Sequence, residues 1–247
     1  MPDLRSARID LSVVVPAYNE EGSLRELAAE LEPVLRSITS EYEIVFVNDG
    51  STDGTPRVLD DLARGNPRIV VLRLDRNHGL TSALHAGFAQ ARGALVATID
   101  ADLQNDPADL PRLVQAIRDG ADLACGWRVD REDPWVKRAS SVVANWWRNA
   151  RTGSSIHDAT CPLKVLKRDV RDVLYPFHGM HRFLPTLAEM AGYRVVEIRV
   201  GHRPRRHGVS KHGVWNRVFR GIRDVRAVRW MKDRRMTYRA ERVTPGE

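Results

Sequence analysis

The stretch ATIDADLQNDP (Ala97–Pro107) drives an apolar, strand-like run straight into Asp100, Asp102 and Asp106, with Gln104 among them. Open α/β sheets collect their ligands outside the C-terminal ends of the strands, and an apolar strand that exits into carboxylates fits that edge. Asp100 and Asp102 are one residue apart, so both carboxylates can approach one small volume, where their repulsion is tolerable if a cation joins them. Oxygen-only donors suit Mg²⁺ or Mn²⁺, which take one or two protein carboxylates and complete their shell with water and substrate phosphates. The same aspartates also suit a turn and the N-cap of a helix expected over Asp109–Ile117. Asp-x-Asp by itself leaves both readings open.

Outward from this stretch, short β-branched runs alternate with amphipathic helical patterns, which predicts an α/β fold with a mostly parallel sheet flanked by helices. Strands are expected at Ser12–Val15, Glu43–Val47, Ile69–Leu72, Leu95–Ile99 and Leu123–Cys125, with a late one at Tyr193–Val200. Leu24, Leu27, Leu31, Val34, Leu35 and Ile38 recur three or four apart and give one helix an apolar stripe. Two further helices are marked by Val58, Leu59 and Leu62, and by Leu80, Leu84, Phe88 and Ala91. After Gly126 the rhythm becomes irregular, and the chemistry is expected to be completed there.

The first, second and fourth strands exit into PAYNEEGSL, VNDGSTDGT and IDADLQ. Three polar strand ends imply one shared site, although Asn, Asp, Gly and Ser are also ordinary turn residues. For Asp49 in particular, a hydrogen bond to a base edge and a tight-turn role are both open and are compatible. Neither a G-x-x-x-x-G-K-[ST] loop nor a G-x-G-x-x-G after the first strand is present, which argues against a P-loop ATPase or a dinucleotide dehydrogenase.

The chain has 247 residues with 43% hydrophobic and 29% charged, enough for one large core. Its 39 Lys+Arg against 32 Asp+Glu give a formal charge of +7, and the basic residues crowd the region after Arg199. Such a tail seeks an anion: nucleic acid, anionic lipid or a phosphorylated substrate. A basic nucleic-acid-binding module is therefore the alternative of another class, weakened by the lack of a recognition motif or an aromatic platform. Cys125 and Cys161 are too few and too far apart for a disulfide framework, which fits a reducing cytoplasm. No apolar run approaches the ~18 residues of a spanning helix, and the N-terminus lacks a signal-peptide core, so membrane contact is expected to be peripheral.

Taken in order, VVVPAYNEEGSL, EIVFVNDGSTDGT, RNHGLTSALHAGFAQARG, ATIDADLQNDP, GWRVDRED and RRHGVSKHG resemble the motifs of the inverting family 2 glycosyltransferases with the GT-A fold. The branch most similar is the one that makes polyprenyl-phosphate sugars, typified by the dolichyl-phosphate mannose synthases. The resemblance runs from Leu11 to Gly213 and is specific as an ordered set. It implies a GT-A (Rossmann-like) catalytic domain over 1–212, followed at 213–247 by a basic amphipathic helix and a polar tail. It also implies transfer of a sugar from a UDP- or GDP-sugar to polyprenyl phosphate, undecaprenyl or dolichyl, with inversion at the anomeric carbon. By resemblance, Pro16, Tyr18 and Glu20 surround the nucleoside with Asp49 at the base, and Asp100, Asp102 and Gln104 hold the Mg²⁺ or Mn²⁺ and the diphosphate. Arg128 and Arg131 match arginines that face phosphate, and Arg206, Ser210 and Lys211 match the Ser-Lys loop. Asp158 matches an acidic residue ahead of a G-F-[KR] strand, a candidate base or metal-shell ligand. Here CPLK replaces the small-Gly-Phe pattern, and Asn48 replaces the commoner aspartate before Asp49.

The acceptor is argued on chemistry. A hydroxyl acceptor needs a placed general base, whereas a phosphate monoester, with a second pKa of about 6, is already anionic and needs cations instead. Arg203, Arg205, Arg206 and Lys211 can supply them, or can form a solvated basic loop. The Gln-x-x-Arg-Trp of polysaccharide-extending members is absent, Arg226 standing where glutamine would in RAVRW. A soluble family 2 enzyme with a hydroxyl acceptor is the alternative within the class. The last helix, expected from Val214 to Met236, carries Trp215, Val218, Phe219, Ile222, Val225 and Val228 on one side and arginines elsewhere. It can lie on an anionic membrane surface at the inner face, alongside a small integral-membrane partner, or pack on the core.

Overall fold

A computed structural model describes residues 9–129, 149–204 and 215–235, with backbone alone for 215–220. Seven strands build one sheet: β1 (Leu11–Ala17), β2 (Tyr42–Asn48), β3 (Ile69–Arg73), β4 (Leu95–Thr98), β5 (Leu123–Arg128), β6 (Lys164–Lys167) and β7 (Val195–Val200). Their spatial order is β3-β2-β1-β4-β6-β5-β7. Every pairing is parallel except the two made by β6, which runs antiparallel between β4 and β5. The order reverses at β1, whose neighbours are β2 and β4, and this opens the crevice at which such sheets bind ligands.

Among the described residues the helices are α1 (Leu24–Ile38), α2 (Thr55–Gly65), α3 (Leu80–Gln90), α4 (Leu110–Arg118), α5 (Arg168–Asp172), α6 (Leu184–Met190) and α7 (Trp215–Asp233). Both faces of the sheet are covered, which is why β1 and β2 are buried at every residue. Alternation along β1 sends Leu11, Val13 and Val15 into a core with Leu24, Leu27, Leu31, Leu35 and Leu59, closed by Leu110, Leu113 and Ile117 of α4. Val14 points the other way, into a core with Leu84 and Phe88 of α3 and Leu184 and Leu187 of α6. Here α3 lies close on the sheet, because a Cβ at Gly87 would collide with Val14. Leu80, read as part of the α3 stripe, is 38% exposed at the helix start.

The five strands expected in the first half are present, each within a few residues of its expected ends, and the late strand begins at Val195. β6 was not legible from pattern: Lys-Val-Leu-Lys is too short to alternate and has a lysine at each end. Lys164 is nevertheless buried, and its ammonium donates to the carbonyl of Cys161.

Trp215–Asp233 form α7, within the span where the last helix is expected. Val225 and Val228 join the second core, Lys232 Nζ donates to the Thr152 carbonyl at 2.7 Å, and Arg235 donates to the Ala191 carbonyl at 3.1 Å. Arg223, Arg226, Arg229 and Trp230 are exposed. The side chains of Trp215, Val218 and Phe219 lie outside the described residues. Among the described residues no helix is long and apolar enough to cross a membrane.

Candidate active site

The exits of β1, β2 and β3 are zipped into one rim by short polar contacts. Asn19, at φ 55° in the left-handed region that asparagine tolerates, accepts the Thr52 N–H on Oδ1 at 2.8 Å and donates its own N–H to Ser51 Oγ at 3.0 Å. Glu20 donates its N–H to Thr55 Oγ1 at 2.8 Å, and the Gly54 N–H donates to Glu21 Oε2 at 2.7 Å. Asp49 is 3% exposed; its carboxylate accepts the N–H groups of His78 at 2.7 Å and Gly79 at 2.8 Å, drawing the β3 exit against β2. Gly50, at φ 66°, fits there because a Cβ would collide with the Arg76 backbone.

This rim encloses an open cleft of about 620 Å³ whose lining includes Tyr18, Asn48, Ser51, Arg73, Arg76 and Asn77. Of the four residues that resemblance put around a nucleoside, only Tyr18 lines it. Pro16 is buried in β1, Glu20 accepts from Ser23 Oγ at 3.2 Å, and Asp49 supports the cleft from behind. Arg73, Arg76 and Asn77 were not assigned a role from sequence. Arg76 and Asn77 open the RNHG motif, whereas Arg73, at the end of β3, carries no motif signal.

The β4 exit carries the aspartates. Asp102 is 7% exposed and Asp100 half-buried. Leu103, between Asp102 and Gln104, adopts φ 61° with its side chain 2% exposed, so an apolar anchor holds a left-handed turn that leucine would not otherwise choose. Across the turn the Gln104 N–H donates to Asp102 Oδ1 at 3.2 Å. The turn is held from outside by Arg203, whose N–H donates to the Gln104 carbonyl at 2.8 Å. The guanidinium of Arg203 pairs with Glu30 at 2.8 Å and Asp106 at 2.6 Å. Of the basic cluster expected to meet an acceptor phosphate, Arg203 is thus committed to the turn. Arg205, Arg206, His207, Ser210 and Lys211 lie outside the described residues, as does Arg131.

Beside the turn, Arg128 at the end of β5 grips Asp158: Nε to Oδ2 is 2.8 Å and Nη2 to Oδ1 is 3.0 Å. Thr160 Oγ1 also donates to Asp158 Oδ1, at 2.9 Å. Burial works against the Arg128 charge, but the Asp158 hydrogen bond and charge, with a further attraction from Asp100, hold its pKa above the usual value. Arg128 therefore stays cationic and lies within the field of the aspartate turn. Both oxygens of Asp158 are engaged, which is the geometry of a clamp more than of a base awaiting a proton. Cys125 and Cys161 are buried, and burial pushes both thiols up, so neither is a thiolate at neutral pH. Among the described residues no three His, Cys, Asp or Glu side chains gather into a metal cage. Two carboxylates with a carboxamide fit instead the open, oxygen-only type of site that a substrate phosphate completes.

Sheet order, strand-end cleft and acidic turn define an α/β fold of the GT-A type. Residues 12–174 match the model of Glycosyl transferase family 2, and the chain belongs to that family. It is 40% identical over 215 residues to the undecaprenyl-phosphate 4-deoxy-4-formamido-L-arabinose transferase of Edwardsiella ictaluri (strain 93-146), covering 87% of this chain and 66% of that one. To the protein of the same name from Proteus mirabilis (strain HI4320) it is 38% identical over 203 residues, covering 82% and 62%. The chain thus spans a little under two thirds of the length of these curated relatives. Among solved structures, glucosyl-3-phosphoglycerate synthase from Mycobacterium tuberculosis in complex with Mn²⁺, UDP and phosphoglyceric acid superposes with a TM-score of 0.68 at 20% identity, covering 93% of this chain and 80% of that one. The same enzyme is also known with Mg²⁺ and UDP, at a TM-score of 0.66 and 21% identity.

Proposed function

We propose that the protein transfers a sugar from a UDP- or GDP-sugar to polyprenyl phosphate, with inversion at the anomeric carbon. The observation that carries this reading is the placement of the Tyr18–Asn77 cleft, the Asp100–Gln104 turn and the Arg128–Asp158 pair on one sheet edge. The names of the two relatives, both undecaprenyl-phosphate 4-deoxy-4-formamido-L-arabinose transferases, support the acceptor. In this reading the cleft takes the nucleoside, with Pro16, Glu20 and Asp49 shaping it from behind and Asn48 on its wall. Asp100, Asp102 and Gln104 hold Mg²⁺ or Mn²⁺, as the complexes of the structural neighbours also suggest. The ion, when bound, stabilises the departing diphosphate. Arg128, locked by Asp158, offers fixed positive charge to the phosphates without the need to reorganise. Because the acceptor phosphate is already anionic, it attacks without surrendering a proton. Arg131, Arg206, Ser210 and Lys211 are proposed to hold that phosphate.

The catalytic unit is taken as 1–212. The following helix is proposed to meet the anionic inner face of the membrane peripherally, through arginines and Trp230 exposed on α7, with a small integral-membrane partner as a further contact. A soluble hydroxyl acceptor is the competing reading, and no role with nucleic acid is proposed.

The test is a panel of radiolabelled UDP- and GDP-sugars offered with undecaprenyl phosphate in mixed micelles, with and without Mn²⁺ or Mg²⁺. Label that partitions into the organic phase only when metal is present supports the proposal. Label that enters only water-soluble hydroxyl acceptors, or transfer undiminished by EDTA, overturns it.

A further inference from the structure

We infer that Glu197 is a positioning residue for this site: it holds the backbone of His157 and Asp158 so that Asp158 locks Arg128 beside the aspartate turn. The inference rests on the proposed transferase reading for its kinetic consequence, but its geometry stands apart from it. Glu197 lies on β7, and the parallel register sets Glu197 opposite Cys125 and Arg199 opposite Trp127 on the neighbouring β5. Alternation puts these four on one face of the sheet, where Glu197 and Trp127 reach the segment that leads into β6. Glu197 is 10% exposed in its side chain, and its carboxylate collects its donors, among the described residues, from that segment. The His157 N–H donates to both oxygens at 2.9 Å, the Asp158 N–H donates to Oε1 at 2.8 Å, and His157 Nδ1 lies 2.7 Å from Oε2.

A second contact fixes the same segment. The His157 ring stacks on Trp127 at 4.4 Å and 15°, while Arg199 reaches over the same indole at 5.5 Å. Two consecutive amides pinned by one carboxylate leave the Asp158 side chain a single approach to Arg128, whose N–H also points at Asp158 Oδ2 at 3.4 Å. No resemblance or spacing had marked Glu197. It acts at one remove, through Asp158 and Arg128, toward Asp100.

The amide clamp and the aromatic stack make different demands, and this makes the inference testable. Glu197→Gln preserves size but replaces one acceptor oxygen with a donor that must face an N–H group. It should lower kcat by about 100-fold, the scale of a small misplacement of a charged group, and leave the donor KM near that of wild type. In parallel, the Arg128 Nε–H resonance in a ¹⁵N spectrum, assigned by its loss in Arg128→Lys, should exchange slowly with water in wild type and fast in Glu197→Gln. His157→Ala keeps both backbone amides but gives up the stack, and should lose less of the slow exchange and of the rate than Glu197→Gln. Should Glu197→Gln fail to fold, Glu197→Asp carries the same two readouts. Unchanged Arg128 exchange in a folded Glu197 variant overturns the inference, as does His157→Ala matching Glu197→Gln in both readouts. If wild type transfers nothing from any donor, the transferase reading falls while the exchange experiment still decides the clamp.

Discussion

Arg128 and Asp158 meet as a two-point ion pair, 2.8 and 3.0 Å, with side chains only 9% and 5% exposed. Removing one partner of such a pair strands a buried charge, whereas replacing both with apolar groups of similar volume is often neutral. Asp158→Ala should therefore lower stability by about 3–5 kcal/mol, and Arg128→Met combined with Asp158→Leu should recover most of it. Urea midpoints of the three proteins check this. Both variants should be inactive, because the guanidinium is either misplaced or missing.

At the aspartate turn, Asp102→Asn removes a charge without removing volume. It should lower kcat by about two to three orders of magnitude while the thermal midpoint stays within a few degrees of wild type. Titration of Mn²⁺ in the presence of UDP, followed by electron paramagnetic resonance, should show weakened binding. Full binding and full activity in this variant would remove the turn from the metal assignment.

Gly50→Ala forces a left-handed residue with a Cβ into the Arg76 backbone. The strain should cost about 1–3 kcal/mol and push the β2 and β3 exits apart. Nucleotide affinity, measured by calorimetry with UDP and GDP, should fall more than the rate at saturating donor.

Asp122, at the foot of β5, accepts from Lys167 Nζ at 2.7 Å and from the Arg194 N–H at 2.8 Å, tying β6 and β7 to β5. The Lys167 hydrogen bond, and then that from Arg194, hold its carboxyl below the usual range. A carboxylate depressed on folding stabilises above its unfolded pKa, and the benefit disappears as pH falls through the folded value. Asp122→Asn should accordingly cost about 1 kcal/mol at neutral pH, an estimate set by the partial exposure of both partners. The difference from wild type should close as both proteins are acidified below the carboxylate range. A gap that persists in strong acid would assign the cost to geometry instead of charge.

On α7, Arg223, Arg226 and Trp230 fall three or four residues apart on the side opposite Val225 and Val228, and Trp230 is 63% exposed. Each cation near an anionic bilayer contributes about 1 kcal/mol, so the stripe should bind vesicles reversibly and in a salt-dependent way. Trp230→Ala with Arg226→Ala should reduce flotation with anionic liposomes and leave the thermal midpoint unchanged. Equal flotation of variant and wild type would move the membrane contact elsewhere.

Much of this fold was legible because strands buried on both faces are nearly continuous apolar runs, and LSVVV and EIVFV depart from that only at Ser12 and Glu43, which pair with each other. The aspartate turn was legible for the opposite reason, since charge at the end of an apolar run demands a cause. What stayed hidden depends on register. Glu197 reads as one polar residue in an alternating strand, and nothing local says that its partners are amides forty residues earlier. Arg203 reads as one more cation of a basic loop until Glu30 and Asp106 are brought beside it. Asp49 was open between base contact and turn support, and its two backbone donors come from a third strand exit that only the fold supplies.

The reversed strand β6 has a consequence for how such a protein can diversify. Because β6 runs against β5, with Lys164 opposite Cys125, the chain leaves the sheet after Arg128 and re-enters it at the same edge. The intervening stretch is a detour with neighbouring endpoints, the Gly126 N–H donating to the Leu163 carbonyl at 2.8 Å. That stretch also carries Asp158, which holds Arg128, while the Pro162 carbonyl accepts from Thr98 Oγ1 of β4 and Cys161 lies in the first core, so any exchange of it has to preserve these three contacts. Chimaeras cut at Val129 and Leu163 should therefore keep the Arg128 lock only where the incoming segment brings an aspartate to the position of Asp158.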